Sequence, residues 1–388
     1  MITKISGGTV VTDGREFAAD VYIKDGKILA VTTDSLPFDE EISAKGKYVS
    51  PAFIDIHIHG AANCDFLDNT PEAFATVARE VVKHGAGTII PTITSASRDE
   101  TIECVKTFES IRECDFGGAN MPGVHLEGPY FSPKQCGAQE PDKIRDFTPD
   151  EYNAVLGASK YVMRWSAAPE LDGMEGFAKA MRDHGALAAI GHSDAETDVC
   201  EAAFKEGFTH VTHLYSCTSM VHRRNAYRYA GIVEYAYLND DMTVEIIADG
   251  KHLPADLLKL IYKIKGREKI ALITDSIRAA GMGEGKFKIG SLTDGMEIDI
   301  FDGVAFLADR SAFAGSVAFC DRLVRNMVNM AGVTLADAVY MATATPAKIM
   351  KLATKGALTE GYDADVVIFD QDINVDKTIV GGKVVYSA

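Results

Sequence analysis

The chain has 388 residues, 47% of them hydrophobic, and a formal net charge of −17, which is enough for one large domain with a substantial core plus a smaller one. The acidic balance speaks against a nucleic-acid partner, because phosphate backbones attract basic surfaces, although a few local cations would still serve an anionic small substrate. No run approaches the roughly 18–20 apolar residues of a membrane span, the first residues lack the apolar stretch of a signal peptide, and seven scattered cysteines without a Cys-x-x-Cys pair fit reduced thiols in a cytoplasmic protein.

Residues 1–50 read as short strands and turns, with a hairpin expected around Asp25-Gly26. The strand-like runs Ala364-Asp-Val-Val-Ile-Phe-Asp370 and Thr378-Ile-Val-Gly-Gly-Lys-Val-Val-Tyr386 close the chain in the same style, the second turning at Gly381-Gly382. Two β-rich ends predict one small β-sandwich built from residues 1–50 and 356–388. Between them, residues 51–355 alternate strand and helix signals, the pattern of a parallel α/β fold. Strands are expected at 52–59, 87–94, 123–127, 162–167, 186–191, 209–214, 242–248 and 270–274. Helices are expected at 71–84 and 174–184, among others. Thr70 before Pro71 is a helix start, and Gly85 after His84 is a stop. Eight strands over about 300 residues match a (β/α)8 TIM-type barrel. A doubly wound open sheet is the alternative, but no Gly-x-Gly-x-x-Gly follows the first strand. Gly281-Met-Gly-Glu-Gly285 reads as a mobile loop after the last strand.

The first barrel strand ends in Asp55-Ile-His57-Ile-His59. Strand periodicity puts the two imidazoles on one face, which suits two ligands of one metal. Other ligand-type residues also fall at strand ends. Glu127 closes the third strand, His192 follows the fifth, His213 closes the sixth and Asp275 closes the eighth. In a barrel these ends meet on one rim, where such folds place chemistry. Imidazoles and carboxylates without a thiolate cluster suit Zn²⁺, Fe²⁺, Mn²⁺ or Co²⁺. One or two divalent ions would fit, with Glu127 bridging a pair. Asp275 sits where it would accept a proton from an activated water and pass it to a leaving nitrogen.

The set His57-Ile-His59, His125-Leu-Glu127-Gly-Pro, Gly191-His192-Ser-Asp, Thr212-His213-Leu, Ala248-Asp-Gly-Lys-His252 and Thr274-Asp275 resembles the amidohydrolase superfamily, and within it the amino-sugar phosphate deacetylases. The resemblance runs over most of the chain, including Ala168-Pro-Glu-Leu171 and Ile277-Arg-Ala-Ala-Gly281. It implies a barrel with an appended β-sandwich and a homodimer. It implies metal ligands at Glu127, His192 and His213, with His57 and His59 completing a second site. Relatives lacking the His-x-His pair use one metal. The implied reaction is hydrolysis of the acetamido group of N-acetylglucosamine 6-phosphate, with Asp275 moving the proton, His252 holding the sugar and the segment after Pro129 acting as a lid.

Three departures from the family pattern bear on the substrate. Ser216-Cys217 stand where the family often has Asn-Ala facing the phosphate. Arg223, Arg224 and Arg228 replace an Arg-Glu-Pro-Gly stretch, and Arg224 or Arg228 is expected to bind phosphate, in its own or a partner subunit. The lid carries Gly137-Ala138-Gln139 in place of Gly-Ala-His, and Gln139 can donate a hydrogen bond but cannot titrate. Ala138, Gln139, Ser216 and Cys217 are therefore expected around the substrate. The galactosamine isomer remains an alternative substrate. So do a cyclic-amide hydrolase or deaminase, and a silent sugar- or metal-binding protein. His125 reads either as a neighbour of the ligands or as an inward core residue. His84 and His184 read as helix-end residues, His210 and Trp165 as packing, and Cys136 as a small thiol in the lid.

Overall fold

The computed structural model describes residues 1–290 and 295–388. Eight strands pair in parallel, in chain order: Phe53–Ile58, Ala86–Ile93, Val124–Glu127, Val162–Ala167, Leu187–Ile190, Phe208–Val211, Thr243–Ile247 and Ile270–Ile273. The ring closes past the last strand. His59 donates its backbone N–H to Ser276 O (2.8 Å), and Asp275 donates to His57 O (2.9 Å). Each strand is followed by a helix, so the architecture is the expected (β/α)8 barrel. All eight predicted strands are present. Six of them end one to three residues earlier than predicted, and the fifth, sixth and eighth stop at Ile190, Val211 and Ile273, so that His192, His213 and Asp275 stand just beyond the ladders.

The helix boundaries follow from local chemistry. Thr70 Oγ1 accepts from Ala73 N at the start of Pro71–Val81, satisfying one of the free N–H groups there. The last turn tightens into a 3-10 segment, Val82–His84, and the chain leaves it at Gly85 with φ 82°, a conformation that glycine adopts without strain. The helix Met174–His184 ends at Gly185 in the same way.

Both chain ends build the β-sandwich. One sheet joins Lys27–Thr32, Asp20–Lys24, Ile2–Ser6 and Glu40–Ser43. The other runs Lys383–Ser387, Val375–Val380, Val366–Phe369, Tyr48–Pro51, Thr9–Thr12 and Arg15–Ala18. The expected turns at Asp25-Gly26 and Gly381-Gly382 connect paired strands. The strand Val366–Phe369 is apolar throughout because both of its faces are covered. Val366 and Ile368 pack into the sandwich with Ile5, Val21 and Ile23, while Val367 and Phe369 join the barrel core. Ala52 N donates to Asp365 O (2.9 Å), tying the sandwich to the first barrel strand.

Two insertions rise from the rim at the C-terminal ends of the strands. One is a hairpin, His222–Arg224 with Tyr227–Tyr229, after the sixth barrel strand. The other follows the eighth and is an antiparallel meander, Gly285–Ile289, Met296–Phe301 and Val304–Leu307. The expected loop covers residues 281–284 and ends one residue sooner than expected. Gly285 opens a strand, because Phe287 and Ile289 pack on the apolar cluster of Ile277, Ile298 and Ile300.

On the outer side of the barrel, Phe177 is fully buried against Tyr130, Phe147, Tyr152, Trp165 and Phe208. Phe177→Ala is expected to cost about 3–5 kcal/mol, the range for removing a buried phenyl ring. Urea unfolding followed by circular dichroism measures it, and a loss under about 1 kcal/mol would contradict this packing.

Candidate active site

His192, His213 and Asp275 have φ of 46°, 27° and 49°, a region that side-chain-bearing residues seldom adopt. These turns occur where each strand stops, and the three side chains all line one cavity at the rim. Backbone strain collected at one spot is a mark of function.

Glu127 is the centre of the site. Its Oε1 lies 3.3 Å from His192 Nε2, 3.0 Å from His213 Nε2 and 3.3 Å from His57 Nε2. Its Oε2 lies 3.3 Å from His59 Nε2 and accepts from Gln139 Nε2 at 2.8 Å. Asp275 Oδ1 stands 3.2 Å from His59 Nε2 and 3.5 Å from His57 Nε2. Two groups of three buried donors result, Glu127–His192–His213 and His57–His59–Asp275, each able to hold a metal ion.

The tautomers test whether a cation fits the first group. His192 donates from Nδ1 to Gln135 O (2.9 Å), and His213 donates from Nδ1 to Ser216 O (3.0 Å). In the neutral rings each Nε2 is therefore a lone pair. The two lone pairs are 3.2 Å apart and both face a carboxylate oxygen. Three acceptors at such separations repel one another unless a cation lies between them. Tetrahedral coordination with arms of about 2.0–2.1 Å places its donors about 3.3–3.4 Å apart, so the group matches a zinc-sized ion.

The second group is less completely tied. His57 Nδ1 meets Glu245 Oε1 at 2.7 Å, which leaves its Nε2 without a hydrogen-bond partner among the described residues. His59 Nδ1 is buried and also unpartnered. Burial works against a charge on His57, but Glu127, Glu245 and Asp275 outweigh it and draw its pKa up to about 9. His59 is raised well above its usual value, since Asp275 and Glu127 override the same penalty. For Asp275, burial opposes ionisation, and the facing imidazoles of His57 and His59 reverse that and hold the carboxyl below its usual range. The two carboxylates thus demand positive charge, from protons or from metal.

The cavity is about 260 Å³ and is lined by these groups together with Ala138, Gln139, Ser216, Cys217 and His252. Gln139 has a defined orientation. Thr94 Oγ1 (2.8 Å) and Ser95 N (3.1 Å) donate to its Oε1, which aims its amide N–H at Glu127. His252 is set by Asp249, whose Oδ2 faces its Nδ1 at 2.9 Å. Ile289, Ala312 and Phe313 add an apolar wall. Arg224 and Arg228 are not brought to this cavity. They sit on the exposed hairpin, where Arg224 pairs with Glu196 (3.0 Å) and lies over the Tyr229 ring, and Arg228 donates to Ala226 O. Arg224 borders a neighbouring cleft with His222 and Arg223.

The remaining histidines sort by contact. His125 stays out of both donor groups and meets Thr92 and Ser166 in the barrel interior. His210 does more than pack, because its Nε2 is 3.2 Å from Glu245 Oε2. His84 stacks on Phe319 and pairs with Asp321. Trp165 is core, donating to Gly128 O. Cys136 donates to Gln139 O within the lid segment. The sequence reading missed Arg164 and Glu245, both fully buried beneath the site. Their signal was a single charged residue inside each apolar run, Val-Met-Arg-Trp and Val-Glu-Ile-Ile, a pattern that requires a buried partner.

The amidohydrolase family profile matches residues 48–385. An N-acetylglucosamine-6-phosphate deacetylase of Lysinibacillus sphaericus is 32% identical over 97% of this chain and 96% of its own length. An N-acetylgalactosamine-6-phosphate deacetylase of Escherichia coli O157:H7 is 31% identical over 93% of each chain. Among solved structures, a Mycobacterium smegmatis N-acetyl-D-glucosamine-6-phosphate deacetylase mutant in complex with N-acetyl-D-glucosamine-6-phosphate superposes with a TM-score of 0.91 at 28% identity, covering 100% of this chain and 99% of that one. With the profile spanning most of its length and these relatives aligned along nearly all of it, the chain belongs to the amidohydrolase family.

Proposed function

We propose that this protein hydrolyses the acetamido group of N-acetylglucosamine 6-phosphate, giving glucosamine 6-phosphate and acetate. The observation that carries the reading is the convergence of two tautomer-fixed imidazole lone pairs on Glu127, with Asp275 facing the same space. The names of the curated relatives support the substrate class. The galactosamine 6-phosphate isomer is the second reading, favoured by the similar identity to the Escherichia coli O157:H7 protein.

In this reading Glu127, His192 and His213 hold one divalent ion, Zn²⁺ or Fe²⁺ in preference to Mn²⁺ or Co²⁺. His57 and His59 would hold a second. When bound, such ions supply Lewis acidity at the acetyl carbonyl and make a water acidic enough to ionise near neutral pH. The chain's own groups do the rest. His252 and the apolar wall of Ile289 and Phe313 orient the sugar and its acetyl group. Gln139 keeps Glu127 in place from the other side. Asp275, held ionised, takes a proton from the attacking water. As the C–N bond breaks it delivers that proton to the amine nitrogen, which would otherwise be a poor leaving group. A homodimer belongs to the same reading. Met220, Val221 and Tyr227 are exposed beside the arginines, and Arg224 or Arg228 would meet the phosphate in the partner's cavity.

An acetate-release assay tests the substrate. It compares the 6-phosphates of N-acetylglucosamine and N-acetylgalactosamine with the unphosphorylated sugars, with metal analysis of the same sample. Turnover of a 6-phosphate well above its free sugar is expected, and ammonia release without acetate would move the chain to the deaminase reading. Asp275→Asn is expected to keep the ion held by Glu127, His192 and His213 and lose 10²–10⁴-fold in kcat. Glu127→Gln is expected to lose the metal itself, as read by elemental analysis. Full activity in Asp275→Asn would refute its role as proton carrier. Of Arg224→Ala and Arg228→Ala, one is expected to lower kcat/KM about 10–100-fold on phosphorylated sugar only, the scale of a lost charged hydrogen bond. An equal loss on both sugars would argue against phosphate binding.

A further inference from the structure

Beneath the rim the barrel interior holds a polar layer, with a fully buried ion pair at its centre. Arg164 grips Glu245 with both arms, Nη1 to Oε2 at 2.5 Å and Nη2 to Oε1 at 2.9 Å. The guanidinium is fixed in turn by Thr212 Oγ1 (2.8 Å), which is bonded to Ser166 Oγ (2.7 Å). A buried pair of this kind gives little net stability, since desolvation offsets the attraction. Its placement offers a different use.

Glu245 touches both donor groups at once. Its Oε1 accepts from His57 Nδ1 at 2.7 Å and from the backbone N–H of His213 at 3.1 Å. In the neutral ring that a cation would bind, the first contact keeps the proton on Nδ1 and turns the lone pair of Nε2 towards Glu127 and Asp275. The second contact supports His213 in its unusual backbone conformation, φ 27°. Among the described residues, His59 has no such support on its Nδ1. The geometry of the second donor group therefore depends on His57, and His57 depends on Glu245.

We propose that Glu245, oriented by Arg164, is a positioning residue that holds His57 as a ligand and so sets the affinity of the second cation. This rests on the two-cation reading given above. The first group depends on it less. His213 is also held through its Nδ1 by Ser216, and His192 by Gln135.

The test uses metal-free full-length protein titrated with Zn²⁺ alone, in wild type, Glu245→Gln, and the double variant Arg164→Gln with Glu245→Gln. The double variant removes both charges together, so that no unpaired charge is left buried. Two Zn²⁺ are expected in the wild type. In both variants the second is expected to bind about 10–100-fold more weakly, the usual scale for losing such a partner, while the first changes far less. A merely structural role would lower thermal stability and leave the ratio of the two affinities unchanged, which would overturn the proposal. A wild-type protein that takes up no second ion would overturn the two-cation reading, and the proposal with it. If neither variant folds, imidazole ¹H–¹⁵N spectra of Zn²⁺-loaded wild type decide. His57 protonated at Nδ1 is expected, and His57 protonated at Nε2 would overturn the proposal.

Discussion

A carboxylate buried at the mouth of a closed barrel has to be neutralised, and the rest of this molecule is arranged around that requirement. Glu127 has almost no contact with water and faces four imidazoles. Burial alone would raise its pKa, yet His57, His192 and His213 together hold it well below the usual carboxylate range. The same imidazoles are steered by backbone carbonyls and by Glu245, so their free nitrogens converge on one place. A cation satisfies all of these groups together.

The barrel serves this arrangement through two stacked layers. The rim layer contains Glu127, the four histidines and Asp275. The layer below contains His125, Arg164, Ser166, Thr212 and Glu245, linked by hydrogen bonds from one strand to the next. Arg164 Nε is left without a hydrogen-bond partner among the described residues, but the remaining groups are linked, and such linked polar networks in a low-dielectric interior are rigid. The barrel thus gives up some apolar core for a stiff platform under the reacting groups. The apolar core lies mainly outside the strands, between barrel and helices, with a separate cluster inside the β-sandwich.

The mouth is built from segments that differ in how firmly they are placed. Gln139 is bonded on both sides of its amide, so the lid residue is tied to the third strand through Glu127 and to the second through Thr94 and Ser95. The meander contributes Ile289, and Phe313 follows it along the same wall. The arginine hairpin stands away from its own cavity and presents exposed apolar residues beside its charges. Within its own chain Arg224 meets Glu196 and not the cavity. In the proposed function the hairpin would meet the phosphate in the cavity of a second copy of the chain.

Much of this was legible in the amino-acid order, for local reasons. Alternating strand and helix signals marked the barrel, Thr70-Pro71 and Gly85 marked a helix, and ligand-type residues at strand ends marked the rim, because periodicity and turn chemistry act over a few residues. That His213 lies beyond its strand, and that His192, His213 and Asp275 all turn left-handed, was not legible, since left-handed turns at ordinary residues exist only when surrounding packing enforces them. The meander after Gly285 was hidden for a similar reason, its strands being stabilised by a cluster drawn from distant residues. Sequence alone determined which residues could bind a cation and where along the chain they lay. Only the tertiary structure decided which nitrogen of His57, His192 and His213 faces the site, because the partners that choose it, Glu245, Gln135 and Ser216, are specified by three-dimensional proximity and by no pattern along the chain.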